Sequence, residues 1–247
     1  MNKVNKIYSI QRGLLNLRRQ NANATFLGSI NCYRQSYSTA TPTSQNSTPK
    51  QEEKPKSLFA KLMSPVVDYY KPKYHAIQLG ERFYKTCANQ GFDKEFYIQG
   101  CNLPDNFQTW FSITQLHVWM LMVRLRPEPN GKEIVQQMVN FYFLDAEQRI
   151  KDAGVTSGKI VSTTVKDLVA GFHGGVMAYD EGLCKDDAVL TAALWRNLFT
   201  TISSHQHGKE MAYMTRYVRE QLSRLDSISS EKLQSGIMEF TQPKASL

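Results

Sequence analysis

Three short stretches of the 247-residue chain hold residue types that could do chemistry. Gly154-Val155-Thr156-Ser157-Gly158-Lys159 has the glycines and the lysine of a phosphate-cradling loop. Such a loop needs four residues between its glycines, a Ser or Thr after the lysine, and a strand before it. Here Ile160 follows the lysine, only Val155, Thr156 and Ser157 separate the glycines, and the upstream pattern is helical, so an interhelical turn is expected. His173-Gly174-Gly175 could offer backbone N–H groups to an oxyanion, but that chemistry works beside a nucleophile on a strand-turn-helix elbow, and no GxSxG occurs. His205 and His207 alternate as the first two ligands of a metal site would. No third ligand is suggested nearby, and a solvated turn leading into a helix is the expectation. Cys32, Cys87, Cys101 and Cys184 are dispersed without a CxxC pair, which suits a reducing compartment and argues against a disulfide framework. With no carboxylate pair, Cys-His set or Glu-x-x-His motif, the chain reads as non-enzymatic, with no cofactor and no metal.

The elements that would position these groups are helices. Apolar residues recur at steps of three and four in Phe107, Trp110, Phe111, Thr114, Val118, Leu121, Met122 and Leu125, one buried stripe of a helix that Pro104 and Asp105 should start. Trp119 and Met120 fall off that stripe and are candidates for a partner surface. Upstream, a helix over 57–70, closed by Pro72, and a second over 73–90 are expected. Downstream, the Pro127-Glu128-Pro129-Asn130-Gly131 turn leads to a helix over 132–151 that places Ile134, Val135, Met138, Phe141, Tyr142 and Ile150 toward the core and turns Asp145, Glu147 and Arg149 outward. A helix over 159–179 carries Val161, Val165, Leu168, Phe172, Val176 and Tyr179 on one face. Gly171, Gly174 and Gly175 lie inside it, each costing about 1 kcal/mol against alanine. Either a neighbouring helix comes close over the missing side chains, the favoured reading, or the helix breaks to make a recognition surface. In both readings Phe172, His173, Gly174 and Gly175 are the leading candidates for a partner contact. Asp186 and Asp187 should cap an apolar helix reaching about 201, and a last helix spans 207–228. The expected fold is all-α: a single bundle-like domain of six to eight helices over 57–228, with a C-terminal tail over 229–247.

Charge is distributed unevenly. Of the net +8, the stretch through Gln51 carries +7, from Lys3, Lys6, Arg12, Arg18, Arg19, Arg34 and Lys50 with no acid, so the rest is close to neutral. A broad phosphate-binding surface on the folded part is therefore unsupported. Residues 1–38 have the character of a mitochondrial presequence, Arg-bearing, acid-free and rich in Ser, Thr and Asn, with Cys32 to Ser38 as the cleavage region. Residues 39–56 read as a disordered linker. In the aromatic block the longest apolar run, Val118 to Val123, is bracketed by His117 and Arg124, far short of the roughly 20 residues a membrane span needs.

The block LPDNFQTWFSITQLHVWMLMVRLR (103–126), with VNFYFLDAEQRI (139–150) and GKIVSTTVKDLVAGFHGGVMAYDEGLCKDDAVLTAALWRNLF (158–199), resembles the ubiquinol cytochrome c chaperone family over about 75–225. The resemblance implies an assembly factor for respiratory complex III in the mitochondrial matrix or peripheral on the inner membrane. It implies action on newly made cytochrome b with a small helical partner protein, and a link to the mitochondrial ribosome. The family has no catalytic signature to carry over.

Two function classes follow. In the first, an aromatic and methionine-bearing surface holds a partner and shields a nascent client, methionine being suited by its flexibility. In the second, a ribosome- or mRNA-associated translation factor acts without touching the client. Its contact candidates are Lys54, Lys56, Lys61, Lys71 and Lys73 near the mature start, and Lys209, Arg216, Arg219 and Arg224 on the last helix.

Overall fold

A computed structural model describes residues 58–199 and 207–241, with the backbone alone for 58–72, Phe96, Gln99 and Gly100. The presequence, the linker, Lys54, Lys56 and His205 lie outside the described residues. Seven α-helices and two π-helical turns make up the described part, and no strand occurs among the described residues. The α-helices are α1 (Leu58–Gln90), α2 (Phe107–Leu125), α3 (Gly131–Asp152), α4 (Gly158–Cys184), α5 (Asp187–Leu194), α6 (Gly208–Asp226) and α7 (Ser230–Gln234). The π turns are Glu95–Gly100 before α2 and Trp195–Phe199 after α5. The all-α bundle expected from the sequence is thus the fold observed.

Two expected helices are one. α1 runs through Pro65 and Pro72 without interruption. Proline removes one ladder hydrogen bond and crowds the preceding turn, which penalises a helix without forbidding it. From Ala76 to Ala88 this helix buries Ala76, Leu79, Phe83, Tyr84, Cys87 and Ala88 in the core. α1 and α3 run in the same direction: Gly80 lies against Gln137 and Met138, and further along the Tyr84 hydroxyl donates to Asp145. Asp145 and Arg149, expected to face outward, therefore line this seam, Arg149 stacking 4.0 Å over the Trp110 ring and 5.0 Å over Phe92.

α2 begins at Phe107, later than Pro104 suggested. The cap is Asn106, whose side-chain oxygen accepts from the Thr109 N–H at 2.9 Å, while Asp105 pairs with Lys94. Every residue from Thr109 to Leu121 is buried. A helix buried all round is a central helix, not a one-sided one. α1, α3, α4, α6 and the second π turn all pack on it. Gly175 behaves as the favoured reading required, and the helix does not break there. A Cβ on Gly175 would stand 2.0 Å from Gln115 Nε2 of α2, and one on Gly182 would stand 2.7 Å from Leu190 Cα of α5. The helix packs where the missing side chains let its neighbours approach.

Residues 229–241, the described part of the segment expected as a C-terminal tail, belong to the fold. α7 buries Leu233, and Met238 and Phe240 join the core at 5% and 8% exposure. Two arginines fasten helix ends. Arg124 of α2 donates to the Leu225 and Ile228 carbonyls at the end of α6, at 3.0 and 2.7 Å. Arg219 of α6 donates to the Gly182 and Lys185 carbonyls at the end of α4, both at 3.1 Å, and pairs with Asp187 at the start of α5 at 2.9 Å. Cations there also complement the helix dipole.

Candidate interaction surface

The polar side chains that could do chemistry are mostly turned inward along α2. His117 is fully buried: its Nδ1 lies 2.8 Å from the Ile113 carbonyl as donor, leaving Nε2 to accept from the Tyr217 hydroxyl at 2.8 Å. Tyr97 approaches from the first π turn at 3.4 Å, and the Phe240 ring packs edge-on, its centroid 4.6 Å from that of His117. Burial lowers the histidine from its ordinary 6.5 to about 4, the bond to Ile113 opposing the shift only in part. Between pH 6.5 and about 4 the unfolded chain therefore takes up a proton that the folded chain refuses, so this contribution to stability is present above pH 6.5 and lost as pH falls. The expected result is that the urea midpoint of the wild-type protein falls more between pH 7 and pH 5 than that of His117→Gln. Parallel pH dependence of the two would contradict it.

Trp119 and Met120 are corrections to the sequence reading. Both are 0% exposed. Off the stripe of an amphipathic helix meant outward only while one face of α2 was taken to be covered, and in this fold every face is. The Trp119 indole donates to Asp180 at 2.9 Å, the same carboxylate that Arg126 holds with two bonds at 2.9 Å, and its ring lies 5.1 Å from Tyr179. Neither side chain can meet a partner from outside the bundle.

The glycine strip of α4 divides. Phe172 is buried against Tyr142 and Phe143, and its carbonyl accepts weakly from Gln115 at 3.4 Å. Gly175 is buried and Gly174 half-buried, while His173 is exposed. The residue the sequence reading did not single out is Trp195, 47% exposed. In a continuous α-helix its neighbours in angle would be Leu198 and Phe199. The π turn takes up an extra residue and winds those two back into the core, leaving the indole outside. The only available signal was a run from Val189 to Trp195 too broad in its apolar content for one face. Since Gly182 meets Leu190 and Gly175 meets Asn197, α4 and the α5 extension are antiparallel. That register puts Trp195 level with half-buried Met177, whereas His173, two residues from Gly175, lies on the side of α4 turned away from the α5 extension. An exposed tryptophan is the type of anchor that dominates protein interfaces.

The basic candidates also divide. Lys61 and Lys71 fall on α1 where only the backbone is described, and Lys73 is exposed. On α6, Lys209 and Arg224 are exposed, but Arg216 pairs with Glu220 at 2.8 Å and Arg219 is committed to the α4 and α5 ends. A phosphate-binding flank is weakened accordingly.

Little of the remainder suggests a reaction centre. Gly154 to Lys159 joins α3 to α4 as the expected interhelical turn. His207 is buried, its ring centroid 5.8 Å from that of Phe199, and not solvated as expected. Among the described residues no group of three or more His, Cys, Asp or Glu is placed to hold a metal ion, and no helix is long and apolar enough to cross a membrane. Cys87 and Cys101 are buried thiols whose pKa burial raises, and Cys184 is exposed.

Known proteins with this pattern can be set beside it. Residues 99–240 match the family described as Ubiquinol-cytochrome C chaperone. The chain is 37% identical over 153 residues to ubiquinol-cytochrome c reductase complex assembly factor 1 of Mus musculus, covering 62% of this chain and 50% of that protein. It is 34% identical over 179 residues to the mitochondrial protein CBP3 of Saccharomyces cerevisiae, covering 66% and 52%. The chain thus spans about half the length of these relatives. The crystal structure of the Cbp3 homolog from Brucella abortus superposes with a TM-score of 0.61 at 25% identity, covering 72% of this chain and 97% of that one.

Proposed function

Because the chain belongs to the ubiquinol-cytochrome c chaperone family, matched over residues 99–240, we propose that it is a mitochondrial assembly factor for ubiquinol-cytochrome c reductase. It acts by binding and not by catalysis. Newly made cytochrome b is the client, held together with a small helical partner protein, close to the mitochondrial ribosome and on the matrix side of the inner membrane.

The support lies in what the bundle leaves outside. Trp195 stands exposed at a re-phased helix end, a placement that the packing of the core does not require. Such a site suits an apolar client helix, with Trp195 as its anchor. The names of the relatives point the same way: one is a complex assembly factor, the other a mitochondrial protein.

The test replaces position 195 with a photo-crosslinking amino acid in mitochondria labelled during translation. Crosslinks to newly made cytochrome b are expected from this position and not from position 132, where an exposed lysine starts α3 on another part of the surface. Trp195→Ala should weaken client capture about thirtyfold, the effect of losing roughly 2 kcal/mol at an interface anchor. Absence of any labelled membrane subunit from the crosslinks of position 195 would remove the proposal and leave an RNA-associated role.

A further inference from the structure

Beyond α7 the chain forms a strap. It turns at Gly236, whose φ of +74° lies in the left-handed region, and then runs without helix or strand through residues 237–241. Exposure alternates along it: Ile237 is 62% exposed, Met238 5%, Glu239 exposed and Phe240 8%. A period of two is the signature of an extended segment laid against one surface. No neighbouring strand supplies its partners. Side chains do.

Gln221 of α6, itself buried, meets Thr241 with both halves of its amide. Its Oε1 accepts the Thr241 N–H at 3.1 Å, and its Nε2 donates to the Thr241 carbonyl at 3.4 Å and to the hydroxyl at 2.7 Å. Phe240 sits edge-on to His117 of α2, which in turn is bonded to Tyr217 of α6. The root of the strap is held separately by α1, where Arg82 donates to the Ser235 carbonyl at 2.9 Å and His75 Nε2 lies 3.1 Å from the Gln234 carbonyl. A carboxamide that takes both the N–H and the C=O of one residue reads main chain, as an adjacent strand would. Main-chain readers accept extended segments in general and choose among them by the pockets for alternate side chains.

We propose that the surface between α2 and α6 formed by His117, Tyr217 and Gln221 is a receptor for an extended polypeptide segment with apolar side chains at alternate positions. Residues 237–241 are its built-in occupant, which such a segment displaces. The hinge is Gly236, and release frees the strap without undoing the Arg82 and His75 contacts at its root. The strap is a competitor present at the high effective concentration of a tethered ligand, so the site is closed to weak segments and open to strong ones. None of this depends on the client surface at Trp195, since the site is defined by the occupant it already holds.

The test uses the full chain and a fluorescent peptide of residues 236–247. Phe240→Ala weakens the tethered occupant, and the variant is expected to bind the peptide at least tenfold more tightly than wild type by anisotropy. Adding Gln221→Ala should abolish the gain. Equal binding by wild type and Phe240→Ala, or no binding by a variant that still melts cooperatively, would overturn the proposal. Should Phe240→Ala fail to fold, hydrogen exchange on the wild-type chain decides. The amides of 238–241 are expected to exchange at least a hundredfold faster than those of 113–121, and exchange of both at one common rate would show a strap that opens only with the whole molecule.

Discussion

Trp119→Ala should cost the fold about 3–5 kcal/mol, the range for removing a large aromatic side chain from a packed interior. The residue is 0% exposed on a helix surrounded on every side, and its ring packs on Tyr179. The loss is not only volume. Asp180 keeps the Arg126 guanidinium but loses the indole N–H, so a carboxylate whose side chain is 19% exposed becomes less well satisfied. Trp119→Phe should recover most of the packing and lose only the hydrogen bond, a penalty nearer 1–2 kcal/mol than the alanine value. Urea unfolding of the three proteins checks this order. A Trp119→Ala protein within about 1 kcal/mol of wild type would mean the indole is not buried in solution. Loss of partner binding in Trp119→Ala would therefore report a damaged core, and Trp195→Ala is the cleaner probe of a surface.

Arg124→Met should be comparably damaging for a different reason. The Arg124 and Glu128 side chains are 11% and 4% exposed and bonded at 2.6 Å, with Ser230 also donating to Glu128 at 2.9 Å. Removing the cation leaves a carboxylate in the interior with its main partner gone, and it also frees the two carbonyls at the end of α6. Breaking one side of such a pair typically costs about 3–5 kcal/mol. The double variant Arg124→Met/Glu128→Met should be more stable than the single one, because an apolar pair of similar volume removes the stranded charge. Should denaturant midpoints place the double variant below the single, the damage would come from the lost α6 carbonyl bonds and not from the charge.

Much of the fold was legible because helical periodicity is a local signal. The stripes of α3 and α4 marked which residues face inward, and Ile134, Met138, Val161 and Leu168 are all buried. The failures share one cause: they depend on what surrounds a helix. Trp119 and Met120 lie off the stripe of α2, but periodicity cannot say that the other faces are covered as well. Pro65 and Pro72 read as boundaries because proline penalises a helix locally, whereas α1 continues through them. Trp195 was lost because a π turn shifts the phase by one residue, and nothing in Trp195 to Phe199 announces it. The strap was invisible for the same reason that tails usually are: its order comes from Gln221 and His117, distant in sequence. Gly175 of α4 was the opposite case, since its cost inside a helix demanded a close neighbour, and Gln115 supplies it.

The bonds around α2 also set a timetable. His117 waits for Tyr217, and Arg124 waits for Leu225 and Ile228, partners 100, 101 and 104 positions later. A polypeptide delivered from its amino end, whether from a ribosome or through a translocation pore, has this greasy helix in hand well before the pieces that close over it arrive. Until then the helix has polar atoms without their final mates and much of its apolar surface wet. Long-range closure of this kind slows folding and lengthens the sticky interval. A molecule proposed to guard an unfinished subunit would thus pass through an unguarded interval of its own, and would need a guardian in turn while its last helix is still on the way.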